Sequence, residues 1–272
     1  MTVWHRLLSP LQWWPVAASD TGGEPSMIAR GWDEYARRWK ADRFAVLPGN
    51  QVDHLGDEWT AEDTSGGGTT YGLDDATIKG FSRCLSEQVL DRYLPAHSQE
   101  ALEIGPGGGR LTALLLPRTD LLHAADPSEG MLKRLTERFK DHRSLRTYAT
   151  DGMTLPRLAE SSLDFVASFD VFVHFEARLV YWYLRQIAPL LKPGGVGIIH
   201  YASVLSPIGW RQFENDLESN VKQRASFCAF GVMCPQLMEH FLKALDLELL
   251  SSDVGFIPRD AIAVFRKRLS AL

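Results

Sequence analysis

The sequence predicts an α/β fold, a doubly wound and mostly parallel sheet preceded by a helical N-terminal extension. Three observations predict it. From residue 99 onward, short apolar runs alternate with amphipathic helical stretches, the pattern of a parallel sheet covered on both faces and joined by right-handed crossovers. A glycine-rich turn, Gly105-Pro106-Gly107-Gly108-Gly109, lies where the first of these runs gives way to a helix. Two further apolar runs close the chain at 247–251 and 261–266. A length of 272 residues suits one large domain, or a domain with an extension. The composition, 45% hydrophobic and 23% charged, is that of an ordinary globular chain and excludes a fibrous or wholly disordered one.

Trp32, Tyr35, Ala36 and Trp39 recur at helical spacing, which predicts an amphipathic helix over about 28–46. Residues 48–73 hold Pro48, Gly49, Gly56 and the run Ser65-Gly66-Gly67-Gly68, a long loop of the kind that serves as a lid or stays disordered. Asp74 or Asp75 caps a second helix over 75–94, which stops before Pro95. Six of the eight tryptophans fall within the first 59 residues, so this region packs on something rather than trailing free. The chain therefore divides into a helical extension or lid, 1–95, and a sheet domain, 96–272.

Within the sheet domain, strands are expected at 101–104, 121–126, 145–149, 163–169 and 196–200, with the closing pair at 247–251 and 261–266. Helices are expected at 111–116, 128–139, 176–191, 207–224 and 234–245. The helix over 176–191 sets Leu179, Tyr183, Ile187 and Leu191 four apart on one face and stops before Pro193-Gly194-Gly195.

Lysine and arginine number 29 against 34 aspartates and glutamates, a net charge of −5. Non-specific nucleic-acid binding draws its affinity from phosphate neutralisation, so this balance argues against such a partner. Cys84, Cys228 and Cys234 are odd in number and lack CxxC spacing, which gives neither a disulfide framework nor a zinc site and suits a reducing compartment. No apolar stretch reaches the ~20 residues of a membrane span. Pro10 and Pro15 interrupt the mildly apolar N-terminus, against a secretory leader. A cytoplasmic setting follows as the expectation.

The chemistry is concentrated at strand ends. In Glu103-Ile104-Gly105-Pro106-Gly107-Gly108-Gly109-Arg110, missing side chains let a ligand approach the backbone while the next helix offers free N–H groups. The third glycine falls at GxGxG spacing and Arg110 takes the last position of the GxGxxG fingerprint, which disfavours a nicotinamide-linked dehydrogenase. Glu103 stands two residues before the first glycine, at the edge where open α/β sheets bind ligands. Asp126 ends the second strand, 21 positions after Gly105, where a carboxylate can accept both hydroxyls of a ribose or cap the helix that follows. Met131, one turn on, can cover an adenine face or fill the core. Asp151-Gly152-Met153 closes the third strand and can read an adenine amino group, although Asp-Gly by itself is most often a turn.

Together these elements resemble the class I S-adenosylmethionine-dependent methyltransferases. The match runs through LEIGPGGGR (102–110), ADPSEGM (125–131), TDGM (150–153), LDFVASFDVFVHF (163–175) and LKPGGVGIIHYA (191–202), in order and at the family's spacing. The resemblance implies a Rossmann-like sheet of seven strands, the last antiparallel, and S-adenosyl-L-methionine as cofactor. It places Glu103 as the acidic residue of the motif and Gly105 and Gly107 against the methionine part of the cofactor. Asp126 goes to the ribose, Asp151, Gly152 and Met153 with Met131 to the adenine, and Phe169 and Asp170 to the pocket wall.

Methyl transfer from a sulfonium is an in-line displacement in which alignment supplies much of the acceleration, about 7–11 kcal/mol in well-oriented systems. An alcohol acceptor additionally needs its proton removed, typically by a histidine worth ~10²–10⁴-fold. His174, in Phe172-Val173-His174-Phe175 after the fourth strand, is the expected general base; a pocket-shaping or helix-capping role is the competing one. His200, at the end of the fifth strand, orients substrate, offers a second base or simply satisfies the pocket. Asp170 with His174 makes two ligands, too few for a metal site, and none is expected. Tyr35, Trp39, Trp59 and Trp210 are candidate substrate contacts, Trp59 in the acidic, aromatic run 53–59 and Trp210 in the aromatic region 203–235.

The leading expectation is O-methylation of a hydroxyl on a small molecule or sugar, with a small-molecule or glycan acceptor as partner, no nucleic acid and no integral membrane association. An N- or carboxyl-methyltransferase in which His174 is structural, and a catalytically silent cofactor-binding subunit, are the alternatives. Assembly into a homo-oligomer stays open.

Overall fold

Strands that read as near-continuous apolar runs are those buried on both faces, and the sheet forms around them. The computed structural model describes residues 27–38, 85–223, 231–253, 257 and 259–269. Helix α1 (Met27–Arg38) is followed, after a π turn at Ser86–Leu90 and a helical turn at Asp91–Tyr93, by β1 (Ser98–Ile104). Then come α2 (Arg110–Leu115), β2 (Thr119–Asp126), α3 (Glu129–Arg138), β3 (Leu145–Ala149) and β4 (Leu163–Ser168). A 3-10 turn, Phe172–His174, leads to α4 (Ala177–Leu190), β5 (Leu191–Ala202), α5 (Pro207–Gln223), α6 (Pro235–Ala244), β6 (Leu247–Asp253) and β7 (Asp260–Lys267). None of the helices among the described residues is long and apolar enough to cross a membrane.

The seven strands lie in the order β3-β2-β1-β4-β5-β7-β6. The first five pair in parallel, and β7 inserts antiparallel between β5 and β6. The expected seven-stranded, doubly wound sheet with an antiparallel end is therefore the observed one. Chain direction across the sheet reverses between β1 and β4, which opens a crevice beyond their C-terminal ends.

Side chains alternate between the two faces. Ala101, Phe165, Val196, Ile198 and Val264 pack beneath Leu111 and Leu115 of α2 together with Leu85, Val89, Leu90 and Leu94. Leu102, Val166, Ile199, Tyr201 and Phe265 pack on Val180, Tyr183, Leu184 and Ile187 of α4 and Met238 and Leu242 of α6. The segment 85–94, assigned to the extension on sequence, shares this core with the sheet.

Helix α4 stops before Pro193-Gly194-Gly195 as expected, but the strand expected at 196–200 starts earlier. β5 begins at Leu191 and runs through all three residues, with a register shift opposite Leu163 and Phe165. Gly194 takes φ +83 and a Cβ on Gly195 would stand 2.9 Å from the Lys192 carbonyl oxygen and 3.0 Å from that of Leu163. An irregular register with glycine on either side of the strain is what allows a proline, with no N–H to give, inside a strand. Leu191, expected on the buried face of α4, is consequently the first residue of β5; Val180, Leu184 and Leu190 complete that face.

Gly197 pairs with Phe265 across β5 and β7, and the Phe265 ring covers the position a Cβ would take, at 2.1 Å. Gly197→Ala is expected to lower stability by about 1–3 kcal/mol through displacement of that fully buried ring. The check is urea unfolding: the midpoint should fall with the m-value unchanged.

Candidate functional site

The crevice at the strand reversal is floored by the glycine-rich turn after β1. Gly105, Gly107 and Gly109 all hold positive φ, at 69°, 53° and 94°. A Cβ on Gly105 would meet Val171 at 2.2 Å, and one on Gly109 the Phe139 ring at 2.4 Å, so both glycines serve close packing. At Gly107 a Cβ would meet nothing within 4 Å. It is there that bare backbone faces open space. The Gly105 N–H donates to the Ala125 carbonyl at 2.8 Å, tying the turn to the end of β2.

Two buried carboxylates flank this floor. Glu103 Oε2 accepts from Thr112 Oγ1 at 2.6 Å, while Oε1 is buried without a hydrogen-bond partner. Burial, reinforced by repulsion from Asp126, raises the Glu103 carboxyl to about 8 against the Thr112 bond. Asp126 Oδ1 accepts from the Ser128 N–H at 2.8 Å and Oδ2 from the Gly107 N–H at 3.3 Å. Burial outweighs these two bonds and raises Asp126 to about 6.

Ser128 caps α3, its Oγ accepting from the Met131 N–H at 3.0 Å. The same hydroxyl donates to Asp33 Oδ1 of α1 at 2.6 Å, and the Gly130 N–H donates to that oxygen at 3.0 Å. Arg134 Nε adds a bond to the Ala36 carbonyl at 2.7 Å. At the other end of the crevice Trp32 meets the His174 ring edge-on, centroids 5.4 Å apart at 60°. Because β1 lies between β2 and β4, α1 spans the mouth of the crevice from the start of α3 to the turn after β4. Asp33 was missed on sequence: nothing in its helical spacing connects it to a serine 95 positions away.

The remaining expected residues distribute as follows. Met131 is buried at 4% exposure in the first turn of α3. The Asp151 carboxylate closes its own turn, Oδ1 accepting from the Met153 and Thr154 N–H groups and Oδ2 from Thr154 Oγ1. Gly152 holds φ +79, and the Met153 carbonyl accepts from Trp182 Nε1 and Gln186 Nε2 while its side chain is 51% exposed. Phe169 stacks on His200 with centroids 4.1 Å apart. Asp170 holds φ +59 and pairs with Arg110 at 3.1 Å.

His174 is half-buried at the end of its 3-10 turn. His200, expected to face the crevice, has no exposed surface: its ring nitrogens are taken by the Asp170 N–H at 3.1 Å and Asp260 at 3.0 Å. As a substrate contact it is corrected, because a fully enclosed ring with both nitrogens engaged supports the wall and does not form it. Trp210 is 50% exposed on α5, stacked on Phe213. Tyr35 lies in α1, but its side chain is outside the described residues, as are Trp39, Trp59 and the loop 48–73. Among the described residues no group of three His, Cys, Asp or Glu side chains could hold a metal, and the Asp170 carboxylate faces Arg110 and Arg259.

These residues fit a positively charged nucleoside. The partnerless Glu103 Oε1 lacks a donor that a ligand ammonium would supply, Asp126 stands by the helix start on β2, and open space lies over Gly107.

Raised carboxyl groups have a consequence for stability. A folded state that holds a proton more tightly than the unfolded chain is stabilised at low pH and loses that advantage as pH climbs to the folded value. Wild type should lose stability relative to Glu103→Gln between the ordinary carboxylate range and about pH 8, where the buried group finishes ionising. Thermal melts of both proteins from pH 5 to 8.5 check this. Parallel curves would contradict it.

Comparison with known proteins bears on the domain and the fold. Residues 101–195 match a methyltransferase domain. No curated protein matches. Among solved structures, an S-adenosylmethionine-dependent methyltransferase from Methanosarcina mazei is 14% identical, covering 67% of this chain and 98% of its own, with a TM-score of 0.54. The N-methyltransferase NodS from Bradyrhizobium japonicum is 17% identical over 72% and 98%, TM-score 0.51. Magnesium protoporphyrin IX methyltransferase (ChlM) from Synechocystis, solved with bound SAH, is 15% identical over 71% and 82%, TM-score 0.51. At these identities the likeness is one of fold. Together with the methyltransferase domain matched over 101–195 and the acidic, glycine-rich edge of β1, it supports a class I S-adenosylmethionine-dependent methyltransferase, with S-adenosylmethionine as the cofactor.

Proposed function

We propose that this methyltransferase acts on a hydroxyl of a small molecule or sugar, with His174 as general base. One observation carries the reading. Among the described residues, His174 and His200 are the imidazoles at the C-terminal ends of β4 and β5, and of these two only His174 is reached by solvent.

The bound cofactor supplies a methyl group on a positively charged sulfur, with a neutral thioether as leaving group. Around it, Glu103 takes the ammonium on its free oxygen, and Gly105 and Gly107 bring backbone against the methionine chain. Asp126 binds the ribose. Met131, Asp151, Gly152 and Met153 surround the adenine, with Phe169 and Asp170 as wall. Asp151 reaches the adenine only through lone pairs its own turn leaves over. His174 would hold the acceptor hydroxyl in line with the methyl group and would take up its proton on the imidazole as the oxygen is methylated. Trp32 against the ring fixes its plane and excludes water from one side. Tyr35, Trp39, Trp59 and Trp210 are proposed acceptor contacts. The three cysteines support a reducing, cytoplasmic setting.

A nitrogen acceptor is the second reading, prompted by the N-methyltransferase activity in the name of NodS. In it His174 is structural, although an amine must also lose a proton.

The test is His174→Ala assayed on a panel of hydroxylated metabolites and glycans with a labelled methyl donor. Turnover on a hydroxyl acceptor should fall ~10²–10⁴-fold, with affinity for S-adenosylhomocysteine within threefold of wild type. Undiminished turnover removes His174 as base, and label recovered on nitrogen favours the second reading.

A further inference from the structure

The clearest arrangement that methyl transfer leaves unused is a buried polar chain behind the end of β4. His200, wholly enclosed on β5, accepts the Asp170 N–H on Nδ1 at 3.1 Å. Its proton therefore sits on Nε2, which donates to Asp260 Oδ2 of β7 at 3.0 Å. The same Asp260 oxygen accepts from Arg259 Nε at 2.8 Å and Nη2 at 2.5 Å. The Phe169 ring lies flat on the imidazole, at 25°. At the far side of the chain, the Asp170 carboxylate takes Arg110 Nη2 at 3.1 Å, and Arg110 is the first residue of α2, directly after the glycine-rich turn.

Asp170 is held in the left-handed region at φ +59, a conformation that costs a non-glycine residue of order 1–3 kcal/mol unless its surroundings impose it. Among the contacts that hold it, with His200 Nδ1 at 3.4 Å and Arg259 Nη2 at 3.9 Å also near its carboxylate, two bear on the turn. His200 anchors its N–H from below, and Arg110 draws its carboxylate across the crevice floor. The pair bridges the end of β4 to the start of α2, which are the two walls on either side of the glycine-rich turn.

We propose that His200 is a positioning residue: through the Asp170 backbone it holds the Asp170–Arg110 clasp, and so fixes the spacing between β4 and the glycine-rich turn that cofactor binding requires. The inference rests on the methyltransferase assignment and is independent of the acceptor and of His174.

Two amide substitutions separate the two ends of the ring. His200→Asn keeps an acceptor near the Nδ1 position for the Asp170 N–H and gives up the bond to Asp260. His200→Gln keeps a donor near Nε2 for Asp260 and leaves the Asp170 N–H buried without an acceptor. Calorimetric titration with S-adenosylhomocysteine should show Gln weakening binding about tenfold more than Asn, the loss expected when a buried donor is stranded. Equal losses, or the reverse order, overturn the proposal, because they make the histidine a support for Asp260 alone. Asp170→Asn tests the clasp where folding is not at risk, since the side chain is partly exposed and asparagine tolerates positive φ. Its affinity should fall about tenfold with the melting temperature held within a few degrees; unchanged affinity overturns the proposal. Absence of binding by wild type would instead refute the cofactor assignment, leaving the two failures distinguishable.

Discussion

The structure turns on one glutamate that has been taken out of water. Glu103 is the penultimate residue of β1, paired on one side with Ala124 and on the other with Ala167, so neither strand edge offers it solvent. Its Thr112 bond satisfies a single oxygen, and Asp126 on the next strand adds a second carboxylate nearby. A purely structural design would place leucine there. What the glutamate provides is a buried carboxyl group with one oxygen unpartnered at the C-terminal end of β1. Parallel strands, glycine turn and helix start each then have an intelligible place, as the means of keeping that carboxyl group dry.

Helix α1 extends the same logic to the front of the site. Asp33 shares the Ser128 hydroxyl with the cap of α3, while Ser128 also gives its N–H to Asp126. The residue behind Asp33 in the chain, Trp32, rests on His174. One turn of helix thus touches the start of α3 and the turn after β4 together. Gly130 makes the contact close, since a Cβ there would stand 3.0 Å from Ala36 Cβ and 3.3 Å from Asp33 Oδ1.

Most of the fold could be read from the sequence because periodicity reports burial directly. β1 to β4 fall within three residues of the expected limits, and the glycine turn, Asp126 and His174 stand where strand ends put them. Three things could not be read. The start of β5 was hidden because Pro193 and two glycines look like a stop, and only a register shift against β4 makes them a strand. The enclosure of His200 depends on Asp260 of β7, sixty positions away, and on Arg259 just before that strand, whose proximity follows from an antiparallel insertion. The part played by Asp33 depends on α1 lying across the crevice, and no local pattern encodes that.

That last separation bears on how the protein is made. Arg134, which grips Ala36, follows it by 98 positions in the chain. At translation rates of roughly 5–20 residues per second, α1 leaves the ribosome about 5–20 seconds before its docking surface exists. For that interval a tryptophan-bearing helix has no native neighbour. The site acquires its roof only after its floor has been synthesised.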